Sequence, residues 1–251
     1  ARKRVARELG LEEARPLFVL TSQEQVAPLA KDVVEAVLRS PAAQMVIKVH
    51  PAEDAGPYHA AAAGSDGRAR VVTTGGPALH DLLHAADAVL TFHSTTNLEA
   101  VCLGTPVVSL AMGPLRGVDR LVALEQSGLP VAETCGALAE VVESICRGEQ
   151  RAMRLLREAT DRAREMFAAP LGGGATQRVI DELVGGRAPG AAGCACCERV
   201  AVNASTTSPA LLIALPSGLI VSGVAAWAVR LVNALVARGH EAGLILHASP
   251  P

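Results

Sequence analysis

Short apolar runs recur along the first half of the chain, at residues 17–21, 45–49, 71–73, 88–92, 107–110 and 129–132. Between them apolar positions return at helical spacing, as in Val26, Leu29, Val33, Val34, Val37 and Leu38. A run that is apolar throughout must be covered on both faces, and parallel strands flanked by helices meet that need. Strand and helix alternating at this pitch predict an α/β fold, a Rossmann-like, doubly wound, mostly parallel sheet. The helices are expected at 1–14 (short, charged, ending near Gly10), 26–39, 52–63, 78–85, 96–103, 138–146, 151–167 and 176–184. Gly104 stands where a left-handed helix cap is expected before Thr105-Pro106. The arginines and acids of 151–167 read as a solvated helix face with i,i+4 pairing.

In such a sheet the loops beyond the carboxyl ends of the strands form the ligand crevice. Four strand ends here carry polar or Gly-rich sequence. Ser22 and Gln23 follow the first run, Lys48 and His50-Pro51 the second, His93-Ser94-Thr95-Thr96 the fourth, and residues 113–119 the fifth. Hydroxyls and free N–H groups at a helix start favour a phosphate. Thr96-Asn97-Leu98-Glu99 also has the spacing of a capping box, which needs no ligand but leaves Ser94 and Thr95 unexplained. Glu99 reads two ways, as the closing residue of that box or as an acceptor for ribose hydroxyls. His50 could donate to a diphosphate and stabilise charge on a leaving phosphate, or rest hydrogen-bonded within its loop. The convergence of these ends on one rim predicts a nucleotide or nucleotide-sugar ligand.

Composition narrows the alternatives. A formal net charge of −2 implies no polyanion partner, and 2% aromatics leave no stacking platform for single-stranded nucleic acid. The basic start (Arg2, Lys3, Arg4, Arg7) runs into Glu8, Glu12 and Glu13 without an apolar core, unlike a signal peptide. Cys102, Cys135 and Cys146 read as small core hydrophobes. The cluster Cys194, Cys196 and Cys197 has no second Cys/His pair at ligand spacing, so it reads as part of a linker and no metal is expected. Nothing is charged between Arg199 and Arg230, but Pro209, Pro216, Gly218 and Gly223 interrupt the stretch, and Trp227, Leu231 and Leu235 form one face of a half-buried helix. The first residue is Ala and the last follow an apparent strand, so the chain reads as a fragment of a longer protein.

The runs Lys48-Val49-His50-Pro51, 86–91, Ser94 through Ala100 and 104–108 resemble the nucleotide-binding half of GT-B glycosyltransferases. The closest flavour is the group of capsule-polysaccharide transferases, CDP-glycerol glycerophosphotransferases and UDP-N-acetylglucosamine 2-epimerases. Residues 167–183, with Gly172-Gly173-Gly174 and Arg178, look like that domain's closing helix region. The resemblance implies that His50 contacts the nucleotide phosphates, Ser94 and Thr95 the diphosphate, and Glu99 the ribose, with Lys48 and Ser22 on the same rim. The epimerases usually carry Asp-Ser-Gly-Gly where this chain has His93-Ser94-Thr95-Thr96, a departure that counts against the epimerase reading. Residues 215–218, Ser222-Gly223 through Trp227, and 235–241 look like the opening of family 4-like glycosyltransferases, with Ser222 and Gly223 in a Gly-rich loop near the sugar.

Three segments are therefore expected: a GT-B-type nucleotide-sugar-binding domain at 1–184, a flexible linker at 185–208, and the truncated start of a second Rossmann-like domain at 209–251. The implied reaction is glycosyl (or glycerophosphoryl) transfer from a nucleotide-activated donor to a saccharide or lipid-linked acceptor in surface polysaccharide synthesis. The donor is a substrate, and no separate cofactor or metal is implied. The catalytic base is expected from the other half of the bilobed enzyme, so the fragment should bind without catalysing. The expected location is cytoplasmic, with peripheral contact at the inner membrane face where the acceptor is lipid-linked. The rival classes are a 2-epimerase-like enzyme and a non-catalytic nucleotide-binding module.

Overall fold

The apolar runs become the strands of one sheet in the computed structural model, which describes residues 1–92, 94–113, 126–168, 211–216, 231–233, 235–237, 239 and 242–247. The chain divides into two compact units, Ala1–Leu171 and Gly172–Pro251. The first runs α1 (Arg2–Leu9), β1 (Leu17–Thr21), a 3₁₀ turn (Glu24–Leu29), α2 (Ala30–Leu38), β2 (Gln44–Lys48), α3 (Gly56–Ala62), β3 (Ala69–Val72) and α4 (Leu79–Ala85). It continues with β4 (Ala88–Thr91), α5 (Thr96–Cys102), β5 (Val107–Leu110), β6 (Val131–Ala132), α6 (Cys135–Cys146) and α7 (Gln150–Ala168). The six strands are all parallel, in the order β3-β2-β1-β4-β5-β6. This is an open, Rossmann-like sheet, and its strand order reverses between β1 and β4.

Burial on both faces explains why the strands read as unbroken apolar runs. All five residues of β1 are buried. Phe18 and Leu20 share one core with Val33, Val34 and Val37 of α2, while Leu17 and Val19 share another with Val5 of α1 and Leu82 and Ala85 of α4. The two-residue period of the strand thus sends alternate side chains into opposite helical layers. Truncating Phe18, which is fully buried, to Ala would cost about 3–5 kcal/mol. In α7 the residues Leu156, Ala159, Thr160 and Ala163 are buried at helical spacing. The opposite face carries pairs such as Arg154–Glu158 at 3.8 Å and Arg164–Asp161 at 3.0 Å.

Two helices start later than their apolar pattern suggests, each at a proline. Pro28 has no N–H for an α-helical ladder, so 24–29 is a 3₁₀ turn and α2 begins only at Ala30. Pro57 occupies the first turn of α3, and the Asp54 carboxylate accepts from Gly56 N–H at 3.0 Å, so 51–55 is a turn rather than helix. β6 is shorter than its apolar run. Gly104 adopts φ 76 after α5, in the expected left-handed cap.

At the edge of the sheet where strands begin, charged side chains hold the backbone. Asp87 accepts from Leu17 N–H at 2.8 Å and from Arg2 at 2.9 Å. Arg68 donates to the carbonyls of Leu38 and Ser40, both at 3.1 Å, and Arg70 to that of Leu9 at 2.8 Å. These arginines cap the ends of α2 and α1, whose last carbonyls lack helical partners. Cys102, Cys135 and Cys146 are half-buried rather than core residues; Cys135 and Cys146 pack against the core, Cys135 Sγ lies 3.8 Å from Met112 Sδ, and burial pushes the Cys146 thiol up.

In the second unit β7 (Leu211–Pro216) pairs in parallel with β8 (Ala242–His247), from Leu211↔Ala242 to Pro216↔His247. A parallel pair requires a crossover connection. Leu231 and Leu235 between them are buried, as the amphipathic pattern predicts. No helix among the described residues is long and apolar enough to cross a membrane. The expected boundaries near 184 and 208, the helix at 176–184, the cysteine cluster at 194–197, and Trp227, Ser222 and Gly223 lie outside the described residues.

Candidate functional site

The strand order puts the topological switch point between the carboxyl ends of β1 and β4, where open α/β sheets bind their ligands. The two strands run in register from Phe18↔Ala88 to Leu20↔Leu90, so Thr21 and Thr91 close them side by side. Ser22 lies just beyond β1, and Ser94 and Thr95 just beyond β4. With β2 on the other flank of β1, the ends of β2 and β4 are two strand spacings apart, about 10 Å. A nucleoside diphosphate can bridge that distance.

Ser22 is 6% exposed and joins two loops of this rim. Its N–H donates to the Lys48 carbonyl at 3.0 Å, and its Oγ accepts from His50 N–H at 2.9 Å. Glu53 N–H then closes a turn onto the His50 carbonyl at 3.0 Å, with Pro51 at the position where its fixed φ suits a turn. The His50 side chain is exposed, and its Nδ1 accepts from Ala52 N–H at 3.2 Å. A neutral imidazole bonded that way carries its proton on Nε2, so the ring offers a donor at the rim.

Beneath this loop lies Tyr58, a residue the sequence pattern does not single out. It is fully buried; its hydroxyl donates to Glu53 Oε2 at 2.8 Å and lies 3.2 Å from the Gln23 carbonyl. Burial first, then the hydrogen bond and charge of Glu53, hold its pKa far above the usual tyrosine range, while a bond from Ser22 opposes them. Tyr58 therefore ties the loop after β1 to the loop after β2. The one signal available in sequence is that this is the chain's only tyrosine.

Lys48 belongs elsewhere. Its ammonium donates to the Thr73 carbonyl beyond β3, on the flank of β2 away from the switch point. Burial lowers its pKa. The structure thus brings Ser22 and His50 together and leaves Lys48 on the far side.

At the end of β4 the capping box that the spacing permits does not form. Ser94 Oγ accepts from Thr96 N–H at 3.2 Å and donates to Thr96 Oγ1 at 2.7 Å. The residue before α5, Thr95, makes no side-chain cap bond and is exposed. The Glu99 carboxylate turns away from the helix start and pairs with His80 of α4, Oε2 to Nε2 at 2.9 Å. The local spacing of a capping box is present, but a partner from the neighbouring helix takes the carboxylate. Since α5 has only seven residues, its dipole is small, and hydroxyls rather than the macrodipole carry the case for an anion here.

Three buried side-chain atoms have no hydrogen-bond partner among the described residues: Thr21 Oγ1, Thr91 Oγ1 and Asn97 Oδ1. They belong to the last residues of β1 and β4 and the first turn of α5. All three belong to elements that meet at the switch point. Buried polar groups are ordinarily paired, and each exception costs about 1–3 kcal/mol. In the sequence Thr21 and Thr91 read only as residues of apolar strands, and Asn97 as a member of the capping-box pattern. Gly113, after β5, has φ 63, and a Cβ there would stand 2.8 Å from Leu29 Cδ1, so the loops after β5 and β1 meet closely. His93 and 114–119 lie outside the described residues, and no metal-binding group of three or more His, Cys, Asp or Glu exists among those described.

Residues 22–113 match the model of a family described as "Capsule polysaccharide biosynthesis protein". That segment opens at Ser22 and ends at Gly113, so it contains the rim described above except Thr21. No curated protein matches the sequence. Among solved structures, the wall teichoic acid polymerase TagF soaked with CDPG is 14% identical with a TM-score of 0.52, over 72% of this chain and 43% of that one. The S. aureus MnaA–UDP co-structure is 15% identical with a TM-score of 0.52, over 71% of this chain and 47% of that one. At these identities the likeness is one of fold, the GT-B half. The chain spans less than half the length of either structure.

Proposed function

We propose that the first unit binds the nucleoside diphosphate portion of an activated donor. The protein it belongs to would transfer a glycosyl (or glycerophosphoryl) group to a saccharide or lipid-linked acceptor in surface polysaccharide synthesis. The observation that carries this reading is the placement of His50, Ser22, Ser94 and Thr95 around the β1/β4 switch point, within a segment matching a capsule polysaccharide family. CDPG in the TagF structure and UDP in the MnaA structure support a donor of this class. In this reading His50 Nε2–H and the hydroxyls of Ser94 and Thr95 donate to the diphosphate, and Glu99 accepts from the ribose. Donors fixed before reaction stabilise negative charge as it develops on a leaving phosphate. Ser22 acts through His50, and Lys48 has no part in the donor site. The acceptor and its base are assigned to the whole protein, which we place in the cytoplasm, peripheral to the inner membrane face.

Calorimetric titration with UDP, CDP and CMP tests the binding step. Binding of at least one, weakened in a His50→Ala, Ser94→Ala double variant, is expected; no binding by any would reject the assignment. For the whole protein, donor should be consumed only when acceptor is present. Release of free sugar without acceptor would favour the epimerase alternative.

A further inference from the structure

The nucleotide reading leaves one rim contact without a role, the pairing of His80 with Glu99. His80 is the second residue of α4 and Glu99 the fourth of α5, so each lies in the first turn of a helix that begins at the carboxyl edge of the sheet. Their side chains are 71% and 40% exposed, and exposed pairs of this kind add little to stability. The geometry does something more specific. His80 Nε2 pairs with Glu99 Oε2 at 2.9 Å, which favours one orientation of the carboxylate, and Oε1 can accept a further hydrogen bond. Without His80, a glutamate one turn into a short helix would be free to close the capping box that its spacing permits. The loop leading to His80, Gly75-Gly76-Pro77-Ala78, comes from the end of β3, and a Cβ at Gly75 would meet no atom within 4 Å. Space beside Gly75 in that loop is open.

We propose that His80 is a positioning residue that holds Glu99 in register to read the ribose diol, so that the two together select ribonucleoside over 2′-deoxyribonucleoside diphosphates. The proposal rests on the nucleotide reading of the same site. A carboxylate held in one orientation accepts from a hydroxyl at a defined place, and a ligand lacking that hydroxyl leaves the acceptor unmatched.

The test is calorimetric titration of the 251-residue chain with UDP or CDP, whichever binds, and with its 2′-deoxy form. The wild type should prefer the ribonucleotide by about tenfold, and His80→Ala should compress that preference to about twofold, mostly by weakening the ribonucleotide. His80→Gln keeps an N–H that can reach the carboxylate and should restore most of the preference. His84→Ala, an exposed histidine on the same helix, should behave as wild type. The melting temperature of His80→Ala should stay within about 1 °C of wild type, which separates positioning from folding. Full preference in His80→Ala overturns the proposal and leaves the nucleotide reading standing, as does a wild type that binds both forms equally. Failure of the wild type to bind any nucleotide overturns both.

Discussion

Replacing Ser22 by Ala is the most direct probe of how the rim is built. The substitution removes the acceptor of His50 N–H, a bond of 2.9 Å, from a residue that is 6% exposed. It also removes a hydroxyl that bonds Tyr58. A net hydrogen bond contributes about 0.5–1.5 kcal/mol, and a half-buried donor left without an acceptor adds part of its desolvation cost, so we expect a loss of about 1–3 kcal/mol. For a unit of this size that lowers the melting temperature by about 3–10 °C. The same change frees the His50 turn, and nucleotide affinity should fall by about three- to tenfold. Circular dichroism melting and calorimetry give both numbers. A double-mutant cycle then asks whether Ser22 acts through His50. In that case Ser22→Ala, His50→Ala should bind no more weakly than His50→Ala alone. Additive losses in affinity, or a Ser22→Ala protein that melts like wild type, would refute the reasoning.

Two further outcomes follow from the same contacts. Because Tyr58 is the chain's only tyrosine, tyrosinate absorbance in alkaline solution reports it alone, and its midpoint should lie well above the ordinary value of 10.0. The folded protein holds that proton more tightly than the unfolded chain, so this contribution to stability is complete below about pH 10 and is lost as pH rises above it. A midpoint at the ordinary value would place Tyr58 in water. Asp87→Ala should destabilise the unit by about 2–4 kcal/mol, since it strips Leu17 N–H and Arg2 of a shared charged acceptor. Its nucleotide affinity should be unchanged, because Asp87 precedes β4 and lies at the opposite edge of the sheet.

Most of the architecture is readable in the residues themselves. Leu17–Leu20 is apolar throughout because both its faces are covered. Strand order is not local information. Nothing near Thr21 or Thr91 says that β1 and β4 are neighbours, so the rim could be inferred while the switch point on it could not. The capping box failed for a related reason. Thr96 to Glu99 satisfies the pattern, yet His80 is 19 residues away and competes for the same carboxylate. Asp87 falls inside a run resembling a nucleotide-binding half, and its carboxylate serves the backbone at the start of β1.

The places where local rules fail are not scattered over the unit. Charged side chains at the amino edge find backbone partners: Arg68 and Arg70 finish helices, and Asp87 secures β1. At the carboxyl edge the balance differs. Ser22, Tyr58 and Glu53 hold two loops together, while Thr21, Thr91 and Asn97 keep buried polar atoms without partners among the described residues. A sequence under selection for stability alone could replace either threonine by valine, nearly isosteric and without a hydroxyl to leave unpaired. Among the described residues, these three atoms fall on elements that meet at the topological switch point, where open α/β sheets bind their ligands.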